Sequence, residues 1–68
     1  FPSIIAGTNE MRFQRLLRDI GRAPNLHIRV SLLETCLKQV WPLVEEKDED
    51  LFFDNVQAVE RQTKKWRQ

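Results

Sequence analysis

The chain is short, close to electrically neutral and poor in cysteine: it has 68 residues, a net charge of +1 and one cysteine, Cys36. This length allows one small domain, and a lone cysteine excludes a disulfide-rich secreted scaffold and favours a reducing compartment, the cytoplasm or the nucleus. No apolar run approaches the ~20 residues that span a bilayer, so we expect no membrane partner. The net charge is also far below that of a typical nucleic-acid binder.

The chain begins with a segment that we predict to be loose, residues 1–8, followed by a single helical domain, residues 9–68. Because the sequence does not start with methionine and its last helix runs to the final residues, we interpret it as part of a longer protein. The first helix is predicted from about Asn9 to Ile20, with Gly21 in the left-handed conformation that often ends helices. Its apolar face repeats at the helical period and consists of Phe13, Leu16, Leu17 and Ile20.

The second helix is predicted to start near Leu26, with Asn25 as its N-cap, and is apolar over about half of its circumference. One set of residues follows steps of 4-3-4-3-4, the spacing of a helix-packing seam: Leu26, Val30, Leu33, Leu37, Val40 and Val44. A second set lies beside it: Ile28, Leu32, Cys36 and Leu43. This width predicts a central helix that packs against neighbours on two sides, and Leu33 and Leu37 are expected to be the positions most sensitive to truncation.

Pro42 raises the question of where the second helix ends. An interior proline costs ~3 kcal/mol, because it lacks a backbone donor and its ring clashes with the carbonyl four residues earlier. The apolar spacing keeps its phase past Pro42, which favours one kinked helix. The alternative is a stop at Val40 and a short new helix with Pro42 in its first turn, where proline is well tolerated.

The third long helix is predicted to be capped by Asp48 or Asp50 and to end near Arg67. Its inward face consists of Phe52, Val56, Val59, Thr63 and Trp66. Phe53 falls off this face by about 100°. The predicted fold class is therefore all-α: a small three-helix bundle with helix 2 in the centre, or four helices if a short one forms at Pro42.

The region around the acidic block, residues 45–50, combines aromatic side chains with carboxylates. Aromatic residues are common anchors of protein interfaces, and a groove with an acidic rim suits a basic amphipathic helix. The leading hypothesis is a non-catalytic protein–protein interaction module that docks a basic or amphipathic helical segment of another protein at this end. The predicted partner-binding residues are Trp41, Leu43, Glu45, Glu46, Glu49 and Phe53.

Two alternative functions stay open. The first is contact with nucleic acid or an acidic partner through a basic row on the first helix and the basic tail. The residues concerned are Arg12, Arg15, Arg18, Arg22, Lys64 and Lys65. Trp66 lies among the bases of the tail, but its place on the apolar face favours a core role. The second alternative is homo-oligomerisation through an apolar face of the second helix that three helices leave uncovered.

Catalytic and metal-binding chemistry have little support in the sequence. His27 and Cys36 are the single histidine and cysteine, and nine residues along a helix place them about 180° apart, so they cannot act as a base and its nucleophile. Neither a zinc-ligand spacing, a calcium-loop pattern nor a glycine-rich phosphate loop occurs. We therefore expect no enzymatic activity, no metal and no cofactor.

Overall fold

The structure is a computed structural model that describes residues 8–67. They form four helices: α1 (Thr8–Gly21), α2 (Leu26–Gln39), α3 (Trp41–Glu46) and α4 (Glu49–Arg67). The predicted all-α bundle of three long helices, with a short fourth helix at Pro42, is confirmed. The loose segment predicted at the start of the chain lies outside the described residues, apart from Thr8, which begins α1.

The three long helices pack against one another in an up-down-up arrangement, and α3 contacts all three. Two ion pairs join α1 to α4, Arg12–Glu60 and Asp19–Arg67. From the first pair to the second, the position moves seven residues towards the C-terminus on α1 and also seven residues on α4. These two helices are therefore parallel. The chain passes down α2 between them, so α2 is antiparallel to both.

The core lies where the three long helices meet. Its buried side chains are Phe13, Leu16, Ile20, Leu32, Cys36, Val40, Phe52, Val56 and Val59. The inward faces predicted for α1 and α4 are confirmed, with Leu17 and Trp66 half-buried at the edge of the core. Thr63 is also buried, and its hydroxyl donates to the Val59 carbonyl at 2.9 Å, which removes the cost of an unpaired polar group.

The prediction that the whole apolar arc of α2 packs inwards is wrong in part, although Val40 of the predicted seam is buried and Leu33 is half-buried. Leu32 and Cys36, from the second apolar set, face the core, whereas Leu26, Val30 and Leu37, from the predicted seam, are exposed. The two sets are neighbours on the helix surface, and the apolar arc is wider than the region that α1, α3 and α4 cover. Helical periodicity identifies the arc but does not say which part of it the neighbouring helices cover.

At Pro42 the structure has the alternative arrangement and not the favoured kinked helix. α2 ends at Gln39, and Val40 is both its C-cap and the N-cap of α3. Pro42 occupies the first turn of α3, where its missing N–H would have no partner within the helix. Val40 keeps right-handed helical angles, φ −103° and ψ −36°, so the apolar phase continues across the break although the helix does not.

The ends of the helices follow the predicted capping in part. Asn25 Oδ1 accepts from the His27 amide at 2.8 Å, and Asp48 Oδ1 accepts from the Leu51 amide at 3.2 Å, so Asn25 and Asp48 are confirmed as caps. The prediction that Gly21 adopts the left-handed conformation is wrong. α1 instead ends with hydrogen bonds between residues three positions apart, such as that from the Ala23 N–H to the Ile20 carbonyl at 3.0 Å.

Candidate docking surface

One face of α2 carries a row of apolar side chains that the other described helices leave largely uncovered. We call this row the α2 stripe; it consists of Leu26, Val30, Leu33 and Leu37. Leu26, Val30 and Leu37 keep 61%, 44% and 49% of their surfaces exposed, and Leu33 is half-buried. At the helical rise of 1.5 Å per residue the stripe is about 16 Å long.

The α2 stripe borders the groove between α1 and α2. Arg29 lies beside the stripe, and its guanidinium is 3.5 Å from the Gly21 carbonyl at the end of α1. On α1, Arg12 and Asp19 form ion pairs with α4. Leu17 lies roughly 140–160° round α1 from those two residues, so its half-buried side chain is on the α2 side of the helix. Leu17 is therefore an apolar side chain of α1 on the side that faces α2.

Trp41 is a further exposed apolar side chain, at the start of α3 and four residues after Leu37 in the chain. Its ring packs against Phe13 of the core, with ring centroids 5.5 Å apart and planes inclined at 53°. This contact fixes the ring on one side, yet 45% of the residue is still exposed. Trp41 is thus held in place by the core and also offers open apolar surface, as interface anchors do.

The acidic end of the domain brings together only part of the predicted partner site. Its carboxylates, Glu45, Glu46 and Glu49, are exposed, and Leu43 is half-buried against the core. Phe53 is 40% exposed, but the Arg12 guanidinium lies over its ring at 4.3 Å. Trp41 instead contacts Phe13, so the two aromatic residues contact different residues of α1. Binding of a partner by this end stays a prediction.

The predicted basic residues are exposed with one exception. The exposed residues are Arg15, Arg18, Arg22, Lys64 and Lys65. Arg12 is the exception: its Nη2 donates to Glu60 Oε1 at 3.0 Å, and its Nε is buried without a hydrogen-bond partner in the described part of the chain. The Arg12 side chain therefore packs α1 onto α4. Trp66 is half-buried against the core, which confirms its predicted core role.

We expect Arg12→Ala to lower the free energy of unfolding by about 1–2 kcal/mol, because it removes the ion pair with Glu60 and the cation–π contact with Phe53. Arg15→Ala is the matched control, since it removes an exposed arginine one turn along the same helix and should stay within about 0.5 kcal/mol of the parent. Urea unfolding followed by circular dichroism measures both. Equal effects of the two substitutions would contradict the packing role of Arg12.

The two residues considered for catalysis do not meet. Cys36 is fully buried in the core and has no exposed surface, whereas His27 is exposed in the first turn of α2. Burial raises the pKa of the Cys36 thiol to about 11. A thiol with this pKa is un-ionised at neutral pH and is not activated as a nucleophile.

Comparison with known proteins finds no matching family, no matching curated protein and no matching solved structure. Within residues 8–67, no group of three or more histidine, cysteine or acidic residues is arranged to hold a metal ion. None of the four described helices combines the length and the apolar character needed to cross a membrane. Function is therefore inferred from the surface chemistry of the described helices.

Sequence reasoning missed the α2 stripe as a docking surface because it assigned those residues to the core. The available signal was the width of the apolar arc on this helix, which exceeds that on α1 or α4 and prompted the homo-oligomer hypothesis. The choice of the exposed set depends on contacts between distant parts of the chain, above all those of Leu32 and Cys36 in the core.

Proposed function

We propose that the domain is a non-catalytic protein–protein interaction module that binds an amphipathic helix along the α2 stripe and Trp41. The observation that carries this proposal is a row of large apolar side chains on one face of α2, in which Leu26, Val30 and Leu37 are roughly half exposed and Leu33 is half-buried. Single exposed apolar residues are ordinary on protein surfaces, but a contiguous row is characteristic of an interaction site.

The spacing of the stripe matches what a helix in a groove requires. Its steps of four, three and four residues place all four side chains on one face, which is how helix-binding surfaces present their anchors. Burying the exposed half of a leucine or valine side chain is worth about 1 kcal/mol. Trp41 and the apolar face of the partner add to this gross gain, from which the cost of association is subtracted.

The acidic end adds a means of orienting the partner. Glu45 and Glu46 are exposed at the end of α3, the helix that Trp41 begins. A partner helix with basic residues at one end would have a preferred direction along the groove, because charges at the rim of an interface affect orientation and association rate more than affinity.

The proposal is tested with a displayed library of amphipathic helices about 20 residues long, selected for binding to the parent chain. Affinities of the selected helices are then measured as synthetic peptides by fluorescence anisotropy at low protein concentration. Leu37→Gln should weaken binding at least about tenfold, since it places an amide in the centre of an apolar contact.

Leu51→Gln is the matched control. Leu51 lies on α4, outside the stripe, and is 51% exposed, close to the 49% of Leu37. Both substitutions exchange leucine for glutamine at an exposed helical site, so their effects on folding should be similar and small. A library that gives no binder, or binders that respond equally to the two substitutions, would reject the proposed function.

A further inference from the structure

We infer that the occupant of the α2 stripe is a second copy of this chain, with two α2 helices packed in parallel about a two-fold axis that runs along them. This inference rests on the proposed function, because it takes the stripe to be a docking surface and names what docks there. Three features of the stripe favour a second copy: its residue order, the charges on its two edges and its area.

The residue order fits a parallel pair of helices. In the seven-residue repeat of paired helices, Val30 and Leu37 take the first position, and Leu26 and Leu33 take the fourth. A β-branched residue at the first position with leucine at the fourth favours two parallel strands, and Val30 with Leu26 and Leu33 provides this combination. In this arrangement each stripe residue packs against its own counterpart, so one apolar face completes the other.

The charges beside the stripe are opposite in sign and correctly spaced. Arg29 and Glu34 lie roughly 70° to either side of the centre of the stripe, and they are five residues apart. This is the spacing at which charged residues pair between two parallel helices. The two-fold axis therefore brings Arg29 of each copy to Glu34 of the other. If both edges of the stripe carried charges of the same sign, they would instead favour a partner of the opposite charge.

The exposed area is enough for weak association. From the exposed fractions of Leu26, Val30, Leu37 and Trp41, complete burial in a pair of copies would remove roughly 700 Å² of apolar surface at most, or about 1,100 Å² in all if ~65% of the interface is apolar. Stable, specific interfaces begin near ~1,200 Å². The net charge of +1 per chain adds little repulsion. We therefore expect a reversible dimer that forms only at high concentration.

Sedimentation equilibrium from about 5 µM to 1 mM tests for the dimer. The weight-average mass should rise from the 8.1 kDa of one chain towards twice that value. Leu37→Gln should weaken dimerisation at least about tenfold, and Leu51→Gln should leave it unchanged. A monomer at 1 mM, as expected if residues 1–7 or another protein occupied the stripe, overturns the inference; so does a dimer that Leu37→Gln leaves intact.

A charge-reversal cycle tests the parallel arrangement. Arg29→Glu and Glu34→Arg should each weaken the dimer about threefold to tenfold, and the double variant should recover most of the loss. In an antiparallel pair, Arg29 of one copy would lie on the same edge of the interface as Arg29 of the other copy, and not beside Glu34. The double variant would then recover none of the lost affinity. That result overturns the parallel dimer.

The two proposals can fail separately. If the chain stays monomeric but binds selected helices, and Leu37→Gln weakens that binding, the proposed function stands and the inference of a second copy fails. A chain that neither dimerises nor binds helices loses both. Circular dichroism of every variant at 5 µM confirms that each comparison is made between folded monomers.

Discussion

Truncation of Leu32 to alanine is expected to lower the free energy of unfolding by about 2–5 kcal/mol, a large part of the total stability of so small a domain. Leu32 is 5% exposed and packs in the core where the three long helices meet. Its removal leaves a cavity that the surrounding side chains fill only in part, so the loss exceeds the transfer free energy of the deleted atoms.

Leu37→Ala is the control for this prediction, because it changes the same residue type on the same helix five positions away. Half of the Leu37 surface is already in water, so its truncation should cost less than about 1 kcal/mol. Urea unfolding of both variants at 5 µM, where we expect a monomer, gives the comparison. If Leu37→Ala were as damaging as Leu32→Ala, the orientation of α2 described above would be wrong.

This comparison also shows how much of the fold the sequence could predict. On α1 and α4 most of the apolar residues form one narrow face, and the side chains predicted to point inwards, such as Phe13 and Phe52, are buried. On α2 two neighbouring sets are apolar, and both satisfy helical periodicity. Which set is buried depends on the directions from which α1 and α4 approach, and local sequence does not determine those directions.

The break at Pro42 was ambiguous for a related reason. The apolar phase continues through Val40 and Val44 because Val40 stays in the right-handed helical region, so the periodic signal is the same for a kinked helix and for two successive helices. The local cost of proline was the better guide. Pro42 in the first turn of α3 avoids the clash and the lost hydrogen bond that an interior position would carry.

The candidate docking surface was predicted only in part. Trp41 was identified as an aromatic residue beside the acidic block, and it is both exposed and in contact with the core. Phe53 was grouped with it because both flank the acidic block. The cation–π contact of Phe53 with Arg12 joins residues 41 positions apart in the chain, and no local pattern indicates such a pairing.

The second large effect is expected at alkaline pH and concerns Cys36. Burial raises the pKa of its thiol from 9.0 to about 11 in the folded chain, because the core disfavours the thiolate. Below pH 9 both the folded and the unfolded chain keep the proton, and the stability is unaffected. Between pH 9 and 11 the unfolded chain loses the proton first, so unfolding becomes easier, by about 2 kcal/mol at pH 11.

Other groups also titrate in this range, so the test is a difference between two proteins. Cys36→Ala should be less stable than the parent at pH 7, because it leaves a small cavity in the core. The variant has no thiol to ionise, so the parent should lose stability faster as the pH rises. The difference between the free energies of unfolding of the two proteins should therefore narrow from pH 9 to 11. Urea unfolding at half-unit pH steps measures this gap, and a gap that stays constant with pH would show that the Cys36 thiol ionises equally well in the folded and the unfolded chain.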